Sequence, residues 1–138
     1  MKLLLHGKSG SEKPGVLDAN GAIRDLSKHI TDVDGTTLSD ASLAKLAKID
    51  LSSLPEVNAN TRLGPCVGSV GKFICVGLNY SDHAAESGLD VPPEPVLFFK
   101  ATSAIVGPND SIEIPKGSKS TDWEVELAIV IGLSLIHI

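Results

Sequence analysis

Apolar residues fall in short runs along this chain, and each run suggests a small element. Leu3-Leu4-Leu5 makes a strand candidate near the start. Val16-Leu17 and Ile23-Arg24-Asp25-Leu26 flank Asp18-Ala19-Asn20-Gly21, a turn composition that predicts a hairpin. Ser39 can cap a helix, with Leu43, Leu46, Ala47 and Ile49 following at apolar helical spacing; Leu51-Ser52-Ser53-Leu54-Pro55 then stops it. Phe73-Ile74-Cys75-Val76 reads as a buried strand closed by Gly77, and Tyr80 to Ser87 as a short helix stopped at Gly88. Val91-Pro92-Pro93-Glu94-Pro95 is a stiff extended link into a further strand, Val96-Leu97-Phe98-Phe99. Gly107-Pro108-Asn109-Asp110 is a turn, and Ile112-Glu113-Ile114 alternates as an edge strand does. Trp123 to Ile131 is the longest strand candidate.

The pattern is that of an α+β protein, mostly β. Residues 1–60 form a small N-terminal domain in which no reactive side chains concentrate. Residues 61–71, with Gly64, Pro65, Gly68 and Gly71, form a connector, and a second, strand-rich domain occupies 72–132. The last six residues, Leu133-Ser134-Leu135-Ile136-His137-Ile138, match the translation of CTGTCTCTTATACACATC, the mosaic end of transposase-based sequencing libraries. Residues 133–138 are therefore read as adapter-derived and left out of fold reasoning, with the gene's own sequence expected to diverge just after Gly132.

Composition narrows the classes. The chain has 138 residues, 42% of them hydrophobic and 21% charged, which is ordinary globular material. A net charge of −5 without a basic cluster disfavours nucleic acid and anionic membrane as partners. No apolar run is long enough to span a bilayer, and His6-Gly7-Lys8-Ser9-Gly10 ends the first one too early for a signal core. Cys66 and Cys75 make neither a disulfide framework nor a zinc pattern, so a reduced, cytoplasmic protein is expected.

Three groups of residues could carry chemistry. In a strand, Val125, Leu127, Ile129 and Ile131 share one face, while Glu124, Glu126, Ala128 and Val130 share the other. Glu124 and Glu126 would then stand about 6.5–7 Å apart along the strand. Either this is a solvated face, or a hard cation such as Mg²⁺ or Mn²⁺ offsets the repulsion of two like charges. His83 and Glu86, at helical i,i+3 spacing, share a face. They are either an incidental surface pair or an imidazole oriented by a carboxylate, the minimum for a general base. Lys100, ending the run from Val96, either snorkels to water or meets a substrate carboxylate. Cys75 reads as a small core residue and Cys66 as a loop thiol with no nearby base.

Taken in order, Val76-Gly77-Leu78-Asn79-Tyr80, His83, Glu86, Pro95, Phe98-Phe99-Lys100, Gly107, Pro115, Asp122-Trp123-Glu124-Val125-Glu126-Leu127 and Val130-Ile131-Gly132 resemble the fumarylacetoacetate hydrolase family over residues 70–132. Glu12-Lys13-Pro14-Gly15 and Ile23-Arg24-Asp25-Leu26-Ser27 look like the small N-terminal domain of bacterial members labelled ureidoglycolate lyase or 2,4-diketo-3-deoxy-sugar-acid hydrolase. The resemblance implies the incomplete start of a mixed β-roll catalytic domain, a homodimer in the full-length parent, and Mg²⁺ or Mn²⁺ as cofactor. Glu124 and Glu126 match two carboxylate metal ligands, the third lying downstream. His83 and Glu86 match the water-activating dyad, and Lys100 is a substrate-binding candidate. The implied reaction is hydrolytic C–C cleavage of 2-oxo or 2,4-dioxo acids in the full-length parent, with this fragment inactive. Lyase, decarboxylase or isomerase chemistry at the same site is the alternative within enzymes, and a non-catalytic fragment the alternative outside them.

Overall fold

The structure, a computed structural model, describes residues 1–132. The adapter reading of 133–138 lies outside the described residues. By contacts the chain divides into two units: Met1–Ser69 together with the chain from Val106 onward, and Val70–Ile105.

In the first unit β1 (Lys2–His6), β2 (Lys13–Leu17) and β3 (Ile23–Asp25) form an antiparallel sheet in that order. Leu5 stands opposite Pro14, and Leu17 opposite Ile23. The predicted hairpin forms, and Asp18 closes it. Its carboxylate accepts the N–H groups of Asn20 (2.9 Å) and Ala22 (3.0 Å) and the Arg24 Nε (2.8 Å), while Gly21 takes φ +82°. This is an Asx-type turn with the left-handed position given to glycine.

The predicted helix also forms, as α1 (Asp40–Leu46), with Ser39 Oγ accepting the Ser42 N–H at 3.4 Å. It is shorter than expected, and Pro55 is not what ends it. The chain tightens after Leu46, where the Ile49 N–H reaches the Leu46 carbonyl at 3.2 Å. Asp50 then caps a single 3₁₀ turn, Leu51–Ser53, by accepting the Ser52 N–H at 3.0 Å. An Asp offering its own acceptor competes with continuation of the α-helix. Val16, Leu26, Leu46 and Leu54 make the buried core, with Leu3, Ile30, Ile49 and Leu51 packed against it. Residues 61–69 join this unit: the Gly64 N–H bonds the Leu5 carbonyl, and the Gly68 N–H the Val33 carbonyl.

In the second unit β4 (Ile74–Gly77) and β5 (Val96–Phe99) pair antiparallel, with Ile74 opposite Phe99 and Gly77 opposite Val96; α2 (Ser81–Glu86) lies between them in sequence. Both strands stand where the apolar runs predict them. The burial expected of β4 is not observed: Ile74 is 53% exposed and Val76 39%. A two-stranded ribbon has two faces and no layer of its own to cover either.

The turn at Gly107–Asp110 is present, with the Asp110 N–H on the Gly107 carbonyl at 3.1 Å. The strands expected at Ile112–Ile114 and Trp123–Ile131 are not: both stretches are irregular and exposed. Alternation assigns residues to faces, but a strand exists only where a neighbour takes its backbone hydrogen bonds. No strand among the described residues pairs with either stretch. Among the described residues, no helix is long and apolar enough to cross a membrane.

Candidate functional site

The helix carrying His83 and Glu86 is produced by a sharp turn out of β4. Leu78 has φ +48°, a left-handed conformation that costs a non-glycine residue about 1–2 kcal/mol. Such conformations persist where surrounding structure imposes them. Tyr80 is extended, and its carbonyl accepts the Ala84 N–H at 3.1 Å, opening α2. Gly88, at φ +65°, closes the helix: its N–H bonds the Ala85 carbonyl at 3.1 Å, and the Leu89 N–H bonds the Ala84 carbonyl at 3.0 Å. Ala84 is the buried residue of α2, whereas His83 and Glu86 are exposed. Their i,i+3 relation is therefore realised on a solvent-facing helix. No hydrogen bond or ion pair between the two side chains is formed in this state.

Lys100 follows β5 and is exposed; its N–H bonds the Phe73 carbonyl at 3.1 Å, one step beyond the β4–β5 ladder. Cys75 lies on β4 and is half-buried, and Cys66 is exposed.

Glu124 and Glu126 belong to the first unit and stand on exposed, irregular chain. No strand ladder fixes the same-face spacing expected of them. As hard oxygen donors, two carboxylates have the right chemistry for Mg²⁺ or Mn²⁺. Among the described residues, no group of three or more His, Cys, Asp or Glu side chains is placed to hold a metal. The donor type fits, and the two carboxylates alone do not make a complete donor set.

A further electrostatic cluster, which the sequence does not mark, centres on Arg62. Arg62 donates through Nε and Nη2 to the two carboxylate oxygens of Asp110 (2.7 and 2.6 Å), and through Nη1 to Glu12 Oε1 (2.8 Å). The bonds from Arg62 hold both carboxyls below their ordinary values and raise the guanidinium. No local signal marks Arg62, because its partners lie 48 and 50 positions away.

Two small sheets with few helices, one of the helices presenting an exposed histidine–carboxylate pair, describe a mixed α/β protein carrying acid–base groups. Comparison gives this class its name. Residues 72–138 match the family described as fumarylacetoacetate (FAA) hydrolase C-terminal. A Burkholderia lata protein, provisionally named a hydrolase, is 64% identical over 132 residues, covering 96% of this chain and 47% of its own length. A Burkholderia multivorans protein with the same provisional name is 63% identical over the same coverage. The chain thus spans about half the length of the curated relatives it matches. A crystal structure of a provisionally named HpcE protein from Mycobacterium smegmatis is similar, with TM-score 0.63 and 29% identity over 83% of this chain and 41% of that one.

Proposed function

We propose that the full-length protein is a metal-dependent hydrolase cleaving a C–C bond in 2,4-dioxo acids, of the acylpyruvate or diketo-deoxy-sugar-acid kind. The observation that carries this reading is α2. Within the family-matched stretch, a short helix offers His83 and Glu86 from one face to solvent. An imidazole beside a carboxylate is equipped to take a proton from water. The hydroxide so formed adds to the distal carbonyl carbon, and the C–C bond then breaks with its electron pair leaving as the enolate of pyruvate. A proton from His83 completes the product. Glu86 orients the imidazole and stabilises its charged form. Lys100 is assigned to the substrate carboxylate. Glu124 and Glu126 are assigned as two ligands of Mg²⁺ or Mn²⁺, which when bound supplies positive charge at the 2-oxo acid end. The working enzyme is a cytoplasmic homodimer with the roll completed, and the 138-residue chain alone is inactive.

The test is pyruvate release from an acylpyruvate by the full-length protein with Mg²⁺ or Mn²⁺. Glu126→Gln should abolish turnover. His83→Ala and Glu86→Ala should each cost about 10²–10⁴-fold, and the double variant little more, as for groups acting as a unit. Wild-type rates in Glu126→Gln refute the ligand assignment, and wild-type rates in both alanine variants remove the dyad.

A further inference from the structure

Arg62 joins three stretches of chain inside the first unit. Its fork meets both oxygens of Asp110 at 2.7 and 2.6 Å, and Nη1 meets Glu12 at 2.8 Å and the Gly7 carbonyl at 3.1 Å. Its own carbonyl accepts the Gly7 N–H at 2.9 Å. Asp110 in turn accepts the Gly107 N–H at 2.7 Å. Gly107 lies so close to the Leu63 carbonyl oxygen that a Cβ there would fall on it. The side chains of Arg62 and Asp110 are only 26% and 24% exposed.

The position of this cluster gives it a role beyond an ordinary ion pair. The chain leaves the first unit after Ser69 and re-enters it at Val106. Residues 107–110 stand just inside the re-entry point and residues 62–63 a few positions ahead of the exit, and the cluster binds these two stretches to each other. A single-pronged, exposed pair would leave their separation loose. A planar fork on a carboxylate, with a side-chain-free backbone approach beside it, fixes it.

We infer that Arg62 is a positioning residue: with Asp110 and Glu12 it ties the chain ahead of Ser69 to the chain just after Val106, inside the first unit, and so limits how far apart the two ends of the α2-bearing segment Val70–Ile105 can move. The catalytic consequence rests on the function proposed above; the latch itself does not.

The experiment uses the full-length protein with Arg62→Lys, which keeps the charge and loses the fork. Arg24→Lys serves as the control, since it breaks the fork that Arg24 makes on Asp18 in the same unit. Amide hydrogen exchange is followed in peptides covering 107–110 and 81–88, with kcat and KM for acylpyruvate hydrolysis. Arg62→Lys should accelerate exchange in both peptides by on the order of tenfold, the scale of a lost charged hydrogen bond. It should also lower kcat several-fold with KM held. Arg24→Lys should accelerate neither peptide. Acceleration confined to 107–110, or equal acceleration by Arg24→Lys, overturns the inference. If wild-type protein releases no pyruvate while exchange behaves as expected, the proposed function fails and the latch stands.

Discussion

Gly107, Gly68 and Gly71 are three glycines in comparable loop chemistry with different reasons to be glycine. A Cβ at Gly107 would fall on the Leu63 carbonyl oxygen, a backbone atom that cannot turn aside. At Gly68 it would fall on the Asp32 carboxylate, a side chain that can give, though it is held by the Val33 N–H at 2.7 Å and Ser69 Oγ at 3.0 Å. At Gly71 nothing lies within 4 Å. Alanine substitutions should therefore rank in cost as Gly107, then Gly68, then Gly71. The Gly71 variant should be neutral or gain up to about 1 kcal/mol from a stiffer unfolded chain. Urea unfolding followed by circular dichroism checks the order, and a Gly107→Ala variant as stable as wild type would refute the close approach. His83 and Glu86 were legible because three positions along a helix is a local relation. Arg62 was not, because its acids arrive from distant stretches of chain, and no spacing rule reaches that far.

Among the elements, those set by local chemistry were legible and those needing a distant partner were not. The β2–β3 hairpin follows from Asp18 and Gly21, and α1 from Ser39 and its apolar spacing. The stretch Trp123–Ile131 alternates from Trp123 to Leu127 and is apolar after that, yet it is irregular and exposed, for a hydrophobic pattern supplies a face and not a neighbour. Glu124 and Glu126 lose their expected ladder for that reason. The α1 cap gives a direct measure of how much local chemistry contributes. The Ser39 Oγ bond to the Ser42 N–H is long at 3.4 Å, so its loss should fall at the low end of the cap range. Ser39→Ala should cost about 0.5–1 kcal/mol, and Ser39→Asp should retain the cap and add a favourable charge at the helix start. Denaturant titration monitored at 222 nm (the usual helix band) reads both. An alanine variant equal to wild type would place the helix boundary in tertiary packing instead.

Across the whole molecule, apolar burial and charge are unevenly divided. The core around Val16, Leu26, Leu46 and Leu54 belongs to the first unit, while Leu97 and Phe99 of the second unit are each more than three-fifths exposed. Stability in this chain therefore resides in the first unit, and so do the paired carboxylates. Arg62 lowers Glu12 and Asp110 from ordinary values of 4.5 and 3.8, chiefly through side-chain hydrogen bonds. Arg24 does the same for Asp18, also from 3.8. For Asp25 burial pulls upward, but hydrogen bonds from the Ser27 hydroxyl and N–H, with His6 and Lys13 nearby, leave it below 3.8 as well. The sign of the linkage follows. A carboxyl depressed in the folded state binds fewer protons there than when unfolded, so its contribution is complete above the unfolded values and disappears as pH falls through the folded ones. The urea midpoint should be flat from about pH 7 down to about pH 5, then fall steadily below about pH 4. Asp110→Asn should lower the midpoint at pH 7 and flatten the acid limb, so that the two curves approach each other toward pH 3. Parallel curves would mean that Asp110 carries no linkage of its own. A midpoint rising into acid would show that burial outweighs the arginine bonds, and the arginine clusters would then be passengers of a fold held by its core alone.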